Sequence, residues 1–166
     1  LFVNVLVSTD SSKIKDIAKK KYKFLSPWLR PKKLSGKFSS SESAALHAVE
    51  WYENNVQKID GLFLFQPTSP FRKEHKIISA IKIFQKKNKQ VVSVCAKKTY
   101  KFKKNNINGS IYLTPVNIIK EKKTFSENGY IKIKMLSELE NTDIDTKDDL
   151  ERVNNMIKNN QSLVKF

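Results

Sequence analysis

The run from Gly61 to Phe65 is apolar at every position, and it constrains the fold of this chain more than any other feature. A strand without a polar position has to be buried on both faces, as in a parallel sheet that helices cover. Residues 66–72 contain two prolines, so they cannot continue the strand. We therefore predict an α/β protein with a loop at the carboxyl end of this strand.

Strand and helix patterns alternate along the rest of the sequence. The predicted strands are residues 3–7, 61–65, 91–95, 110–113 and 131–135. The predicted helices are a segment with Ile14, Ile17 and Ala18 on one face, residues 43–55, a segment containing Ile77 and Phe84, and residues 146–158. This order predicts a Rossmann-like three-layer sandwich with a mostly parallel sheet, in which ligands bind outside the carboxyl ends of the strands.

The length of 166 residues suits a single domain, and no apolar run approaches the roughly 20 residues that cross a bilayer. Because no signal-peptide pattern opens the sequence either, we expect a cytoplasmic protein that does not enter a membrane. The one cysteine, Cys95, lies in an apolar run and is interpreted as a core residue. His47 and His75 fall within predicted helices, and we interpret both as structural or surface residues.

The formal net charge of +16 raises the alternative of a nucleic-acid-binding module. The excess comes from lysines that are scattered along the chain, whereas arginine, the better ligand for phosphates and bases, occurs only at Arg30, Arg72 and Arg152. No zinc-finger, helix-turn-helix or aromatic RNA-binding motif accompanies the charge. Nucleic acid is therefore the weaker prediction, and a nucleoside triphosphate would be attracted by the same positive field.

Three segments carry groups that suit catalysis or ligand binding. Residues 66–72, with Gln66, Thr68 and Ser69, place amide and hydroxyl groups on a stiff backbone, which suits a hydroxylated, anionic ligand. Asp143 and Asp145 stand at i and i+2, so an extended backbone directs both carboxylates to one side, where they can hold a divalent cation. Acidic residues before a helix are also ordinary capping residues. Arg30 and a serine cluster form the third segment, which has no specific signature of its own.

Taken together, these segments resemble the acylneuraminate cytidylyltransferases, over nearly the whole chain. The matching motifs, in family order, are Val7-Ser8-Thr9-Asp10, Arg30-Pro31, Ser40-Ser41, His47-Ala48, residues 66–72, residues 108–112, residues 143–146 and Asp149-Leu150. The Gln-Pro-Thr-Ser-Pro and Asp-Ile-Asp-Thr elements are the specific ones. The resemblance implies transfer of CMP from CTP to a nonulosonic, sialic-type acid, with a CMP-sugar and pyrophosphate as products.

The resemblance also implies roles for individual residues. It places Arg30, Ser40 and Ser41 at the cytidine nucleotide, and Asp145, assisted by Asp143, at a Mg²⁺ ion. It places Gln66 at the acid sugar near the reacting centre, and it assigns the remaining sugar contacts to Thr68, Ser69, Tyr112, Phe125 and either Lys101 or Lys103. Positioning and charge neutralisation are what nucleotidyl transfer to a sugar hydroxyl needs, and these residues can supply both.

The sequence departs from the family in two places. Family members begin with a strand and a glycine-, arginine- and lysine-containing loop that binds the triphosphate, and this sequence has no counterpart of either. We therefore expect the first strand to be missing, the domain to be incomplete at its N-terminus and the activity to be impaired. The stretch from Cys95 to Ile107 is shorter than the family's dimerisation insertion, which argues against a homodimer.

Two further alternatives follow from these departures. The chain could be a non-catalytic remnant that binds a sugar or a nucleotide, or an enzyme that makes another sugar nucleotide.

Overall fold

A computed structural model describes residues 4–36, 38–103 and 105–159. In chain order its elements are α1 (Ser12–Tyr22), α2 (Ser41–Asn55), β1 (Gly61–Leu64), α3 (Glu74–Lys87), β2 (Val91–Cys95), β3 (Ile107–Pro115), α4 (Val116–Glu121), β4 (Ile131–Met135) and α5 (Lys147–Asn159), with 3₁₀ turns at Lys32–Leu34 and Leu139–Asn141. The chain divides into two compact units. The first unit is Leu1–Leu62 with Pro115–Phe125, and the second unit is Phe63–Thr114 with Ser126–Phe166.

Most predicted elements are confirmed to within a few residues, including the loop after β1. The predicted burial of β1 on both faces was wrong, because each of its residues is only partly buried and the following Phe65 is 40% exposed. Among the elements themselves, the predicted strand at residues 3–7 is the exception. Val3 lies outside the described residues, and the following residues form one isolated parallel bridge, between Leu6 and Leu25, instead of a strand. Apolar side chains do alternate with other residues there. A strand also needs a hydrogen-bonded neighbouring strand along its length, however, and Val5 remains 43% exposed.

The sheet is mixed, so the prediction of a mostly parallel sheet was wrong. Its four strands have the order β1-β3-β2-β4. β2 pairs parallel with β4, from Val91 opposite Ile131 to Cys95 opposite Met135, but it pairs antiparallel with β3. Parallel neighbours need a long crossover connection, whereas no helix separates β2 from β3 in the described residues, and the chain turns back on itself there. This mixed α/β arrangement is compatible with a nucleotidyltransferase-like fold.

A β-bulge interrupts the pairing of β2 with β3 at Ser93. The Ser93 hydroxyl takes over part of the interrupted ladder, because it accepts a hydrogen bond from the backbone N–H of Ile111 at 2.8 Å. The same hydroxyl donates to the Asn108 side chain at 2.5 Å. The bulge therefore turns a serine on a fully buried strand into a hydrogen-bonding partner for β3.

The core of the second unit lies where α3 packs on the sheet. Its buried members come from α3 and from three of the strands: Ala80, Ile81, Val91, Ile111, Leu113, Ile133 and Met135. All five residues of β2 are buried, as its apolar sequence predicts, and Cys95 is a buried free cysteine. Burial fixes β2 and β3 in place. The connection between them carries Lys101, and the start of β3 lies against the loop with Gln66.

In the first unit, α2 packs against α4, and Glu53 of α2 forms ion pairs with Lys120 of α4 and with Lys58. The Glu53 side chain is only 5% exposed. Desolvation would raise its pKa, but the hydrogen bond from Lys120 is the larger effect and lowers it. The apolar face predicted for α1 is only partly covered, because Ala18 is buried while Ile14 and Ile17 are 51% and 44% exposed.

Candidate functional site

The loop after β1 is held in the second unit by Arg72. Its guanidinium donates to the backbone carbonyl of Ser110 on β3 at 2.5 Å and to that of Gln66 at 2.6 Å, and it lies over the ring of Phe65. Burial lowers the pKa of Arg72 to about 10, so the side chain remains charged at neutral pH. Arg72 therefore uses its donors to connect the two ends of the loop and to hold them against β3.

Gln66 and Ser69 lie on this loop against Gly109 of β3. A Cβ atom on Gly109 would be 2.7 Å from Oε1 of Gln66 and 3.6 Å from Oγ of Ser69. Gly109 also has a φ of +77°, which favours glycine. The Ser69 hydroxyl is buried and has no hydrogen-bond partner among the described residues. Because Gly109 has no side chain, the Gln66 carboxamide can pack directly against it.

The two most specific motifs of the sequence meet in the second unit. The backbone N–H of Ile144, between the two aspartates, donates to the carbonyl of Thr68 at 2.7 Å. The Thr68 side chain also opposes the rise in the pKa of the Asp143 carboxyl. The loop with Gln66 and the segment with Asp143 and Asp145 are therefore joined directly, although some 75 residues separate them in the sequence.

A buried polar network fixes the start of the aspartate segment. The amide of Asn108, on β3, donates to Oδ1 of Asn141 at 2.7 Å and to the carbonyl of Glu140 at 3.2 Å. Ser110 donates to the same carbonyl at 2.9 Å, and Asn141 donates to the carbonyl of Ser137 at 2.7 Å. Because all of these groups are buried and paired, the network sets the position of the chain two residues before Asp143.

Glu140, the central residue of the 3₁₀ turn, is a buried carboxylate with 2% exposure. Desolvation would raise its pKa, but hydrogen bonds from Ser137 and the backbone N–H of Leu136, with the charge of Lys73 at 3.9 Å, lower it instead. A paired, ionised Glu140 stabilises the turn that leads into the aspartates.

Three carboxylates converge on the ammonium group of Lys101. Its Nζ lies 2.8 Å from Oδ2 of Asp145, 3.2 Å from Oδ2 of Asp149 and 3.8 Å from Oδ2 of Asp143. It also donates to the backbone carbonyl of Asp143 at 2.8 Å. Burial opposes the charge of Lys101, but the hydrogen bonds to Asp145 and Asp149 outweigh it and raise the pKa of the lysine.

Asp149 has a structural role at the start of α5. Its carboxylate accepts from the backbone N–H of Thr146 at 2.9 Å, and its own N–H donates to the Thr146 hydroxyl at 3.1 Å, which is a reciprocal capping box. The Thr146 hydroxyl hydrogen bond, followed by that of the Asp145 N–H, lowers the pKa of Asp149 to about 2. Asp149 therefore orients the helix and the Asp145 backbone, and it stays ionised at all moderate pH values.

Asp143 and Asp145 form a like-charged pair. Burial raises the pKa of Asp143, and the neighbouring Asp145 carboxylate raises it further, while Thr68 and Lys101 oppose the shift. Asp145 is the more open of the two, with a side chain 53% exposed against 23% for Asp143. Such a pair has an affinity for a cation, because a cation relieves the repulsion between the carboxylates.

No group of three or more His, Cys, Asp or Glu side chains in the described ranges is arranged to hold a metal ion. The two carboxylates nevertheless fit Mg²⁺ in one respect. That ion is usually bound through one or two carboxylates and completes its shell with water and substrate phosphates, and oxygen is its preferred ligand.

Arg30, Ser40 and Ser41 belong to the first unit. Arg30 is half-buried, donates from Nε to the Ser35 hydroxyl at 3.2 Å and pairs with Asp10 at 3.6 Å. Ser40 is the N-cap of α2, where its hydroxyl accepts from the backbone N–H of Ser43 at 3.1 Å, and Ser41 is the exposed first residue of that helix. The predicted nucleotide residues thus include a cation and a helix N-terminus, both of which attract phosphate.

The remaining predicted residues differ in accessibility. Tyr112 is half-buried on β3 opposite Val92, and Lys103 is exposed. Phe125, in the first unit, is buried with 3% exposure. Of the two lysines between which the sequence could not choose, Lys101 is the one that contacts Asp143 and Asp145.

Four further residues support the aspartate segment without being predicted as site residues: Asn108, Glu140, Asn141 and Asp149. Only Asp149 had a usable signal, since Thr146 and Asp149 have the spacing of a capping box. The buried amides carry no sequence pattern that separates them from the many surface asparagines.

Comparison with known proteins gives a partial match. The chain is 37% identical over 90 residues to CMP-N,N'-diacetyllegionaminic acid synthase of Legionella pneumophila, and these residues are 54% of this chain and 38% of that protein. The chain thus spans well under half the length of this relative. No protein-family model matches the chain. The match supports the relationship to cytidylyltransferases that the motifs indicate.

No helix among the described residues combines the length and the apolar character needed to cross a membrane.

Proposed function

We propose that this chain is a cytidylyltransferase that transfers CMP from CTP to a nonulosonic acid. The observation that carries the proposal is the direct connection between the loop with Gln66 and the segment with Asp143 and Asp145, through the hydrogen bond from the Ile144 N–H to the Thr68 carbonyl. The resemblance assigns the acid sugar to the first segment and the cation to the second. Nucleotidyl transfer requires both ligands at one place, and the second unit brings these segments together.

In the proposed reaction, the sugar hydroxyl oxygen forms a bond to the α-phosphorus of CTP. The bond from that phosphorus to the β-phosphate oxygen breaks, pyrophosphate leaves and the hydroxyl proton is released to solvent. Mg²⁺, when bound, neutralises phosphate charge and favours the ionised form of the hydroxyl. Asp145 and Asp143 would hold it, the first as the more exposed ligand.

The other residues position the reactants. The Gln66 carboxamide, fixed against Gly109, would bind the acid sugar, assisted by the hydroxyls of Thr68 and Ser69. Arg30 and the N-terminus of α2, with Ser40 and Ser41, would bind the nucleotide. Arg72 acts indirectly, because its hydrogen bond to the Gln66 carbonyl orients the loop.

The test is pyrophosphate release from CTP and Mg²⁺ by the full chain, with a panel of nonulosonic acids that includes N,N'-diacetyllegionaminic acid, the acid in the relative's name. We expect release only when both CTP and an acid of this class are present. Asp145→Asn should reduce the rate by at least about 100-fold, because it removes the open metal ligand. Asp148→Asn changes the same charge on an exposed position of α5 and should leave the rate unchanged.

Equal rates in the Asp145 and Asp148 variants would remove the metal assignment. A folded chain that releases no pyrophosphate would contradict catalysis by the isolated chain. Binding of CTP and of the acid, measured by calorimetry, then separates a binding remnant from an unrelated protein. Steeply salt-dependent binding of RNA or DNA without CTP binding would favour the nucleic-acid alternative.

A further inference from the structure

The Lys101 ammonium group occupies a position that has the character of a cation site. Four oxygen atoms of the Asp143 to Asp149 segment lie within 4 Å of Nζ: three carboxylate oxygens and the carbonyl of Asp143. Three carboxylates against one ammonium leave the cluster with a net negative charge. The ammonium group of Lys101 therefore neutralises the carboxylates only in part, and the cluster still attracts a further cation.

The segment that carries Lys101 presents it from a small turn. The N–H of Thr99 donates to the carbonyl of Phe102 at 2.8 Å, and the Phe102 N–H donates to the Thr99 hydroxyl at 3.1 Å. Lys101 stands within this turn, so its backbone is held while its side chain, 28% exposed, keeps a four-carbon flexible stem. The flexible stem allows the ammonium group to move away from the carboxylates.

A divalent cation held by Asp145 would lie next to Lys101, because Nζ of Lys101 already contacts Oδ2 of that carboxylate at 2.8 Å. Two neighbouring cations repel each other more strongly near a protein surface than in bulk water. Binding of the divalent cation would therefore favour departure of the ammonium group.

We propose that Lys101 is an internal counter-ion that holds the cation position of Asp145 and yields it when a divalent cation binds. The inference rests on the proposed function, since it takes Asp143 and Asp145 as the metal ligands. Lys101 thereby lowers the affinity of the chain for metal and keeps the paired aspartates neutralised until the metal arrives. The displaced ammonium group is then free to pair with an anionic group of the substrate.

The test is Mn²⁺ binding by the full chain, with Mn²⁺ as the only added ligand, measured by electron paramagnetic resonance and by calorimetry. Lys101→Met keeps the length of the side chain and removes its charge, so we expect Mn²⁺ to bind about tenfold more tightly or better. Lys101→Arg keeps a positive charge and should stay within about threefold of the unmodified chain. Lys98→Met removes an exposed lysine charge from the same segment and serves as the matched control.

Each outcome decides between the two proposals. Tighter binding in Lys101→Met alone supports the counter-ion role, and a purely structural role for Lys101 would not produce it. Equal or weaker binding in Lys101→Met, or the same gain in Lys98→Met, would overturn the inference while the metal site stands. Absence of Mn²⁺ binding in every variant, with an unchanged circular dichroism spectrum, would overturn the metal site and the inference with it.

Discussion

Replacing Gly109 by alanine tests the geometry around Gln66 without any assumption about activity. The new Cβ atom would lie 2.7 Å from Oε1 of Gln66, well inside the ordinary contact distance, and φ of +77° is unfavourable for alanine. The backbone strain costs about 1–2 kcal/mol. Rotating the Gln66 side chain out of its rotamer adds about 0.5–1.5 kcal/mol. We therefore expect Gly109→Ala to lower the free energy of unfolding by about 2–3 kcal/mol.

Gly129→Ala is the matched control for backbone strain. Gly129 has a φ of +93°, but nothing lies within 4 Å of the position of its Cβ. Its replacement should therefore cost the strain alone, about 1–2 kcal/mol. In urea unfolding followed by circular dichroism, a difference of about 1 kcal/mol between the two variants shifts the midpoint by about 0.5 M.

A double variant isolates the contact with Gln66. In a Gln66→Ala background, the clash is gone, so Gly109→Ala should cost about as much as Gly129→Ala does. If Gly109→Ala costs the same with and without the Gln66 side chain, the close packing of the two residues is refuted. The result bears directly on the proposed function, because Gln66 owes its place in the proposed sugar site to this contact.

Three further predictions concern the core, the polar network and α5. Ile111→Ala should lower the free energy of unfolding by about 3 kcal/mol in urea, because Ile111 is completely buried in the sheet, and a loss below about 1 kcal/mol would contradict its core role. The depressed pKa of Glu140 stabilises the fold above the unfolded pKa near 4.5, a contribution that fades as the pH falls through the lower folded value. The stability difference between the chain and Glu140→Gln should therefore shrink from pH 6 to pH 3, and a constant difference would exclude this explanation. Thr146→Ala should lower the free energy of unfolding by about 1 kcal/mol, because it removes the cap of α5. It should also raise the pKa of Asp149 above about 2, which a carboxyl NMR titration measures, and an unchanged pKa would contradict the capping box.

The sequence predicts the elements well where burial and local chemistry agree. β2 has an apolar sequence and is fully buried, and two prolines end β1 with the loop that the structure shows. Where an element depends on a partner, the local pattern is insufficient. Residues 3–7 alternate as a strand does, but a strand is made by its neighbour, and among the described ones only Leu6 forms a bridge.

Strand direction follows from the connection between strands and not from the strands themselves. The order of strands and helices predicted a mostly parallel sheet, in which a crossover connects each pair of parallel neighbours. The connection between β2 and β3 contains several lysines and asparagines but no helical pattern, and this absence was the available signal for an antiparallel pair. The family resemblance describes this stretch only as a shortened dimerisation insertion.

In the candidate site, too, the sequence predicts local motifs but not the contacts between distant residues. The spacing of Asp143 and Asp145 and the composition of residues 66–72 identify the two segments, because each is a local pattern. Their contact through Thr68 depends on the buried amides of Asn108 and Asn141, which fix the turn before the aspartates. Composition cannot reveal such amides in a chain rich in asparagine.

The choice between Lys101 and Lys103 illustrates why geometry is needed even after both segments are known. The two lysines are equivalent by composition and lie two residues apart, so a resemblance of uncertain register cannot separate them. The turn from Thr99 to Phe102 distinguishes the two lysines in the structure, because it presents Lys101 to Asp145 while Lys103 stays exposed. Which of them binds the sugar stays a prediction. If the counter-ion proposal holds, the lysine and the acidic pair form one electrostatic unit, and a substitution at Lys101 would change metal affinity and substrate binding together. A substitution at Lys103 would change neither the metal affinity nor the pKa of Asp143.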